Sequence, residues 1–353
     1  MTDMNRRSFM QTSALTAAFA VSGAVRSDAL GADAPAADTQ TPAGEIKLGI
    51  VGLDTSHVSV FTKLFNQAAD KPAALQGMRI VAAFPAGNPE FPLSRDRITG
   101  FTNEVRKFGV DIVGSMAELL PLVDGVLLES VDGGQHLAQA RPVFEAGKPL
   151  FIDKPLAASL QDVIEIAALG QKHQVRWFTA SSSRFTAGYP ELRNNPGVGQ
   201  ILGCDTYSQA RAAPGHPDLF WYGMHGVDLL YSLLGTGCES VTAVQTPYTE
   251  QVTETWKDGR VGTYRAIREH TGKTGLGASV FGKQGIAHVN NYYDYVPLAI
   301  AIAEFFRSRK SPIPTAEMVE VFTYLAAAEE SKRRRGVPIL LSDVVAATQS
   351  DSR

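Results

Sequence analysis

From residue 45 onward, short apolar runs alternate with longer stretches whose apolar positions recur at helical spacing. The runs at 46–51, 79–84, 125–129 and 150–152 are too short for helices and read as buried strands. Between them, 58–69, 117–122 and 136–146 carry the helical period, and a helix at 162–172 and a short strand at 175–178 follow. Strands alternating with helices predict a parallel sheet with crossover connections. After about residue 185 the texture changes. The stretches 198–207, 241–245, 259–268, 276–281 and 287–290 alternate polar and apolar positions, as an antiparallel sheet with one covered face does. A helix at 224–234 interrupts them, helices at 297–307 and 315–334 follow, and an extended "GVPILL" closes the pattern. The predicted fold class is α/β: a doubly wound parallel-sheet domain at 45–155, then an α+β domain with a largely antiparallel sheet at 156–341, and a tail at 342–353.

The first 44 residues obey neither pattern. Arg6 and Arg7, Phe9 and the uncharged run from Thr12 to Val25 lead into the small-residue stretch "ALGADAPAAD". A positive flank, a short apolar segment and a small-residue exit describe an export signal. The arginine pair resembles the twin-arginine motif. Residues 1–31 are expected to be that signal and 32–44, rich in Ala, Pro and Thr, a linker. The expected location is the periplasm, with the twin-arginine machinery as an export partner and no membrane span in the mature protein. Formal net charge is −3 and the pI about 6.2, a balance that argues against a nucleic-acid binder. Cys204 and Cys238 are the only cysteines, and an oxidising compartment would permit but not require their pairing.

Candidate chemistry begins at "GIVGLDTSHV". Gly52 stands where a strand must turn into a helix, but Asp54 and His57 occupy the second and third glycine positions of a G-x-G-x-x-G turn. Asp54, Thr55 and Ser56 are all good helix N-caps, and capping by Asp54 would leave the amides of Ser56 and His57 facing a phosphate. At the exit of the 150–152 strand comes Asp153-Lys154-Pro155, where the proline biases Lys154 towards an extended backbone at the sheet edge that binds ligands. A lysine held there can donate or accept a proton. His225 and Asp228, three apart, share one helix face, so Asp228 could orient the imidazole. His57, His136, His225, Glu129 and Asp228 all fall near strand ends and could converge, but none shows the tight spacing of a zinc motif, and no metal site is expected.

Together, "VDGVLLESVDGGQHLAQARPVFEAGKPLFIDKPLA", "SSSRF" and "WYGMHGVDLLYSLLG" resemble the glucose-fructose oxidoreductase and inositol dehydrogenase (Gfo/Idh/MocA-type) family. The resemblance implies a Rossmann-like dinucleotide-binding first domain, a substrate and oligomerisation domain, and tightly bound NAD or NADP. It also implies a sugar or cyclitol substrate and a homo-oligomer. Asp153-Lys154-Pro155 stands for the family's E-K-P, which implies that Lys154 contacts the nicotinamide ribose and helps move the substrate hydroxyl proton. His136 matches a histidine near the cofactor, and His225 and Asp228 match the end of the D-x-x-x-H-x-x-D segment. The first acid of that segment is replaced by Trp221, with Tyr222 beside it as a stand-in. The cofactor would lie across Gly52, Thr55, Ser56, His57, Ser130, His136, Asp153 and Lys154, and the catalytic set would be Lys154, His225, Asp228 and Tyr222. The second strand exits into Phe84-Pro85-Ala86 without the acid that would hold ribose hydroxyls, leaving Arg95 or Arg97 as candidates for a 2′-phosphate. Two other readings remain open: a lyase, hydrolase or epimerase working through transient oxidation, and a sugar-binding protein whose nucleotide site has decayed.

Overall fold

The computed structural model describes residues 44–67, 71–269 and 275–350; the expected export signal lies outside them. The first half builds β1 (Ile46–Val51), α1 (Ser56–Asn66), β2 (Met78–Phe84), α2 (Pro92–Arg95), α3 (Ile98–Arg106), β3 (Asp111–Ile112) and α4 (Met116–Leu119). It continues with β4 (Gly125–Leu128), α5 (His136–Glu145), β5 (Leu150–Ile152), α6 (Leu160–Lys172) and β6 (Trp177–Thr179). The six strands form one parallel sheet in the order β3-β2-β1-β4-β5-β6. The chain leaves β1 in one direction across the sheet and β4 in the other, so a crevice opens at their C-terminal ends. The parallel sheet therefore runs to Thr179, past residue 155, because β6 adds its outermost strand.

The second half contains α7 (Tyr189–Arg193), β7 (Ile201–Gln209), α8 (Asp218–Trp221), α9 (Met224–Leu234), β8 (Cys238–Gln245), β9 (Thr249–Trp256) and β10 (Val261–Ile267). Then come β11 (Leu276–Gly282), β12 (Ile286–Asn291), α10 (Tyr295–Ser308), α11 (Thr315–Arg333), β13 (Ile339–Leu340) and α12 (Leu341–Ser350). Its seven-stranded sheet has the order β12-β11-β7-β10-β9-β8-β13 and is antiparallel except between β7 and β10. α9 and α11 pack on it. α9 can approach closely because of Gly226: a Cβ there would overlap the Tyr264 ring. α10 leaves this domain and returns to the first, packing on α1. Phe306 fills the space beside β4 that a Cβ at Gly125 would take.

Three segments differ from expectation. Residues 341–350 are helical rather than a tail, and 92–106 form two helices where none was predicted. β9 was hidden because its inward positions include Glu250 and Glu254, both fully buried, so polar residues stand where a strand pattern needs apolar ones. Cys204 and Cys238 are both buried free thiols, so they do not pair. Among the described residues, no helix is long and apolar enough to cross a membrane.

Candidate active site

The turn after β1 is tightly made. Gly52 has φ +88°, and a Cβ on it would run into the backbone and hydroxyl of Ser130, so the loop after β4 lies directly on it. The cap of α1 is Thr55, whose hydroxyl accepts from the His57 amide, and not Asp54 as expected. Asp54 instead reaches across the crevice, accepting from the Val131 amide at 2.8 Å and the Ser94 hydroxyl at 2.5 Å. It is fully buried, and that burial pushes its carboxyl above the usual range despite both hydrogen bonds. The bridge to β4 and α2 defeats local capping because two strong donors from elsewhere saturate the side chain.

His57 faces the ends of β4 and β5. Its Nδ1 lies 2.6 Å from Asp153 and its Nε2 lies 2.8 Å from the hydroxyl of Tyr295, the first residue of α10. Burial alone would raise the Asp153 carboxyl; the charge and hydrogen bond of His57, with Lys154 next to it, outweigh this and hold it below the usual range. Beside this pair, Glu129 ends β4 with no exposed surface, and neither of its oxygens has a hydrogen-bond partner among the described residues. Desolvation, with repulsion from Asp153, pushes its carboxyl well above the usual range. Thus His57 and Asp153, expected to touch a cofactor, are engaged with one another.

Lys154 follows at the β5 exit, before a cis bond to Pro155, and its ammonium sits 5.4 Å from the centre of the Tyr222 ring. It takes part in none of the ion pairs found among the described residues. Tyr222 also stacks edge-on against His225, with ring centres 5.4 Å apart, and Tyr293 approaches His225 to 5.0 Å. Burial pushes the His225 imidazole well below its ordinary pKa, and the neighbouring Lys154 and His57 add to this, so the ring is neutral at neutral pH. The structure thus gathers Lys154, Tyr222 and His225 into one wall.

Asp228 is not the partner of His225. His225 Nδ1 meets the Ser181 hydroxyl at 2.6 Å, and Asp228 takes the Ser181 amide and the Arg184 guanidinium, at 2.9 and 2.7 Å. Three-residue spacing does put both on α9, but Ser181, at the end of β6, reaches the imidazole first. Arg184 also holds Glu317 on α11 at 2.6 Å, so Asp228 belongs to a buried network that ties the segment after β6 to α9 and α11. The two ring nitrogens of His136 face the carbonyl oxygens of Ser130 and Leu156, at 2.7 and 3.1 Å, so it holds the β4 loop against the β5 loop. The Ser130 hydroxyl donates to Gln139. Arg95 pairs with Asp96, and Arg97 covers Phe101 while its charge is also felt by Asp54. Glu129 and Tyr295 were the members least visible as site residues. The signal for Glu129 was a charged residue ending the otherwise apolar "GVLL".

Residues 46–181 match the model of the Gfo/Idh/MocA oxidoreductase family, described as having an NAD-binding Rossmann fold. The Salmonella typhimurium protein YceM, named as an oxidoreductase, is 28% identical over 105 residues, which is 30% of this chain. That match spans about a third (34%) of YceM's length. The fold of scyllo-inositol dehydrogenase from Lactobacillus casei, solved with NAD(H) and scyllo-inositol, superposes with a TM-score of 0.69 at 15% identity. The superposition covers 84% of this chain and 99% of that one. Myo-inositol dehydrogenase from the same organism, solved with NAD(H) and myo-inositol, gives a TM-score of 0.67 at 17% identity, covering 84% and 96% of the two chains. With the strand order, the Gly52 turn and the Lys154-Pro155 exit already in place, residues 46–181 are the NAD-binding Rossmann domain described by the Gfo/Idh/MocA oxidoreductase family model.

Proposed function

We propose that this oxidoreductase removes hydrogen from, or returns it to, a secondary hydroxyl of a cyclitol or sugar, with NAD or NADP as the partner. The observation that carries this reading is Lys154: a cation at the C-terminal edge of β5, outside any ion pair among the described residues, in a wall made by Tyr222, His225 and Tyr293. Aromatic faces and neutral hydrogen-bonding tips suit a polyhydroxylated ring, whose hydroxyls need partners and whose C–H faces need apolar cover. The inositol-bound relatives support the same substrate class.

The residues present fit a dinucleotide. The crevice lies between β1 and β4, and the first turn of α1 points into it, with the Asp54 carboxylate committed to Val131 and Ser94 rather than to those amides. The β2 exit offers no acid for ribose hydroxyls; Asn88 there is tied to Asp132 at 2.6 Å. Charge therefore does not select against a 2′-phosphate. Gly52, Thr55 and Ser56 would hold the pyrophosphate end, and Lys154 the nicotinamide ribose.

When bound, the nicotinamide supplies hydride exchange with the carbinol carbon. Lys154 gives a proton from its ammonium to the forming hydroxyl in reduction, and the neutral amine so left takes the hydroxyl proton at Nζ in oxidation. Neutral His225, its Nδ1 fixed by Ser181, presents Nε2 to a substrate hydroxyl. Ser181 thus positions the ring, and Asp228 acts one step further back by fixing the Ser181 backbone. The proposal includes tight retention of the cofactor and export on the Arg6-Arg7 signal. A reporter fused after residue 44 should reach the periplasm and stay behind when both arginines become lysine.

The test begins by denaturing the purified protein and assaying released nicotinamide, then follows melting with NAD(H) and NADP(H) and turnover on a cyclitol and sugar panel. Lys154→Ala should cut turnover by roughly 10²–10⁴-fold while the nucleotide, still held at its pyrophosphate end, binds more weakly but measurably. A protein that neither retains nor is stabilised by either nucleotide, or a variant with wild-type turnover, overturns the reading.

A further inference from the structure

We propose that His57, Glu129 and Asp153 form a binding site for a divalent transition-metal ion such as Zn²⁺ or Mn²⁺. The three residues come from the start of α1 and the ends of β4 and β5, the same sheet edge reached from three parts of the sequence. One imidazole nitrogen and one oxygen from each carboxylate all lie within 4.8 Å of one another. All three side chains are buried, at 7%, 0% and 2% exposure.

Glu129 makes this more than an acidic cluster. Buried carboxylates are hydrogen-bonded or paired almost without exception, yet both oxygens of Glu129 lack a partner among the described residues. Lys154 does not provide one, its ammonium lying over the Tyr222 ring instead. Two carboxylates balance a dication, and one nitrogen with two oxygens suits Zn²⁺ or Mn²⁺ better than the all-oxygen preference of Ca²⁺ or Mg²⁺.

The surroundings match what a ligating histidine requires. Its second nitrogen usually bonds an outer group that fixes the ring, and Tyr295 occupies that place on Nε2 of His57. On binding, the metal would displace the proton that His57 Nδ1 shares with Asp153, while the Nε2 proton donated to Tyr295 holds the ring in place. His57 occupies the third glycine position of the fingerprint and Asp153 precedes Lys154-Pro155. The replacement that departs from a plain phosphate turn therefore supplies the nitrogen ligand.

The proposal stands apart from the nucleotide reading and is tested without it. The full protein is stripped with chelator, equilibrated with Zn²⁺ or Mn²⁺, and assayed for bound metal and for binding heat. Near-stoichiometric uptake is expected, with affinity lower by about tenfold or more in Glu129→Gln and His57→Gln. Glu254→Gln, at a buried glutamate on β9, should bind as wild type. Should either ligand variant fail to fold, the visible spectrum of Co²⁺ on the wild type gives the answer. Ligand-field bands distinct from aqueous Co²⁺ and free of thiolate charge transfer support the site. Only traces of metal on the wild type, an aqueous Co²⁺ spectrum, or folded ligand variants that bind unchanged would each refute it and leave Glu129 as a buried protonated acid.

Discussion

Glu254 sits on β9 with no exposed surface, and desolvation pushes its carboxyl well above the usual range. Its proton is therefore held by the folded chain and released by the unfolded one once pH exceeds the unfolded value near 4.5. Stability conferred by that proton is full at lower pH and declines as pH rises towards the folded pKa, by up to about 1.4 kcal/mol per pH unit. Glu254→Gln keeps the shape and removes the titration. The melting temperature of the variant, relative to wild type, should climb as pH rises above 4.5 and level off only past the folded pKa; a constant difference would show that Glu254 is ionised in the fold. At this scale the sequence was read unevenly. Lys154 and His225 were legible because strand exits and a helix pattern place them. Asp54 and Asp228 were misassigned because their partners, Val131 and Ser181, are set by tertiary packing that local rules for caps and i,i+3 pairs do not contain.

Among the elements, α9 depends most on a single missing side chain. Gly226→Ala would gain a few tenths to about 1 kcal/mol of helix propensity. It would also force a methyl into the buried Tyr264 ring, an overpacking that costs roughly 1–3 kcal/mol. A lower denaturation midpoint with unchanged m-value is expected; an unchanged midpoint would mean that α9 moves off the sheet without cost. The short turn holding Arg184 is as exacting. Arg184 neutralises both Asp228 and Glu317 in a buried setting, so Arg184→Met strands two carboxylates and should cost about 3–5 kcal/mol. Arg184→Lys should recover only part of this, since one ammonium cannot reproduce the planar fork. Chemical denaturation of both variants measures the gap. Elements with apolar periodicity, such as β1, β4 and α9, could be read directly. β9 could not, because Glu250 is paired with Arg268 and Lys332 from outside the strand and so can stand on an inward position.

Across the whole molecule, the doubly wound order could be anticipated because crossover connections leave few alternatives. What could not be anticipated was that α10, written after the antiparallel strands, packs on α1 and places Tyr295 on His57. Chain order does not reveal spatial return when the helix pattern alone is visible. The stretch matched by the family model, residues 46–181, therefore lacks part of its own core. A fragment ending at residue 181 should bind a hydrophobic dye and melt without cooperativity, and addition of α10 in trans or by fusion should restore a sharp transition. A cooperative isolated fragment would show that α10 is dispensable.

That returning helix also sets a timetable. On the ribosome the parallel sheet is complete once Thr179 has emerged, but the seat beside Gly125 that Phe306 fills stays open until Ser308 follows. At about 5–20 residues per second the interval is on the order of ten seconds. Throughout that window the nascent first domain presents an apolar cleft to whatever is near it, and a chaperone that shields this cleft would be holding the place of α10, the helix that later brings Tyr295 to His57.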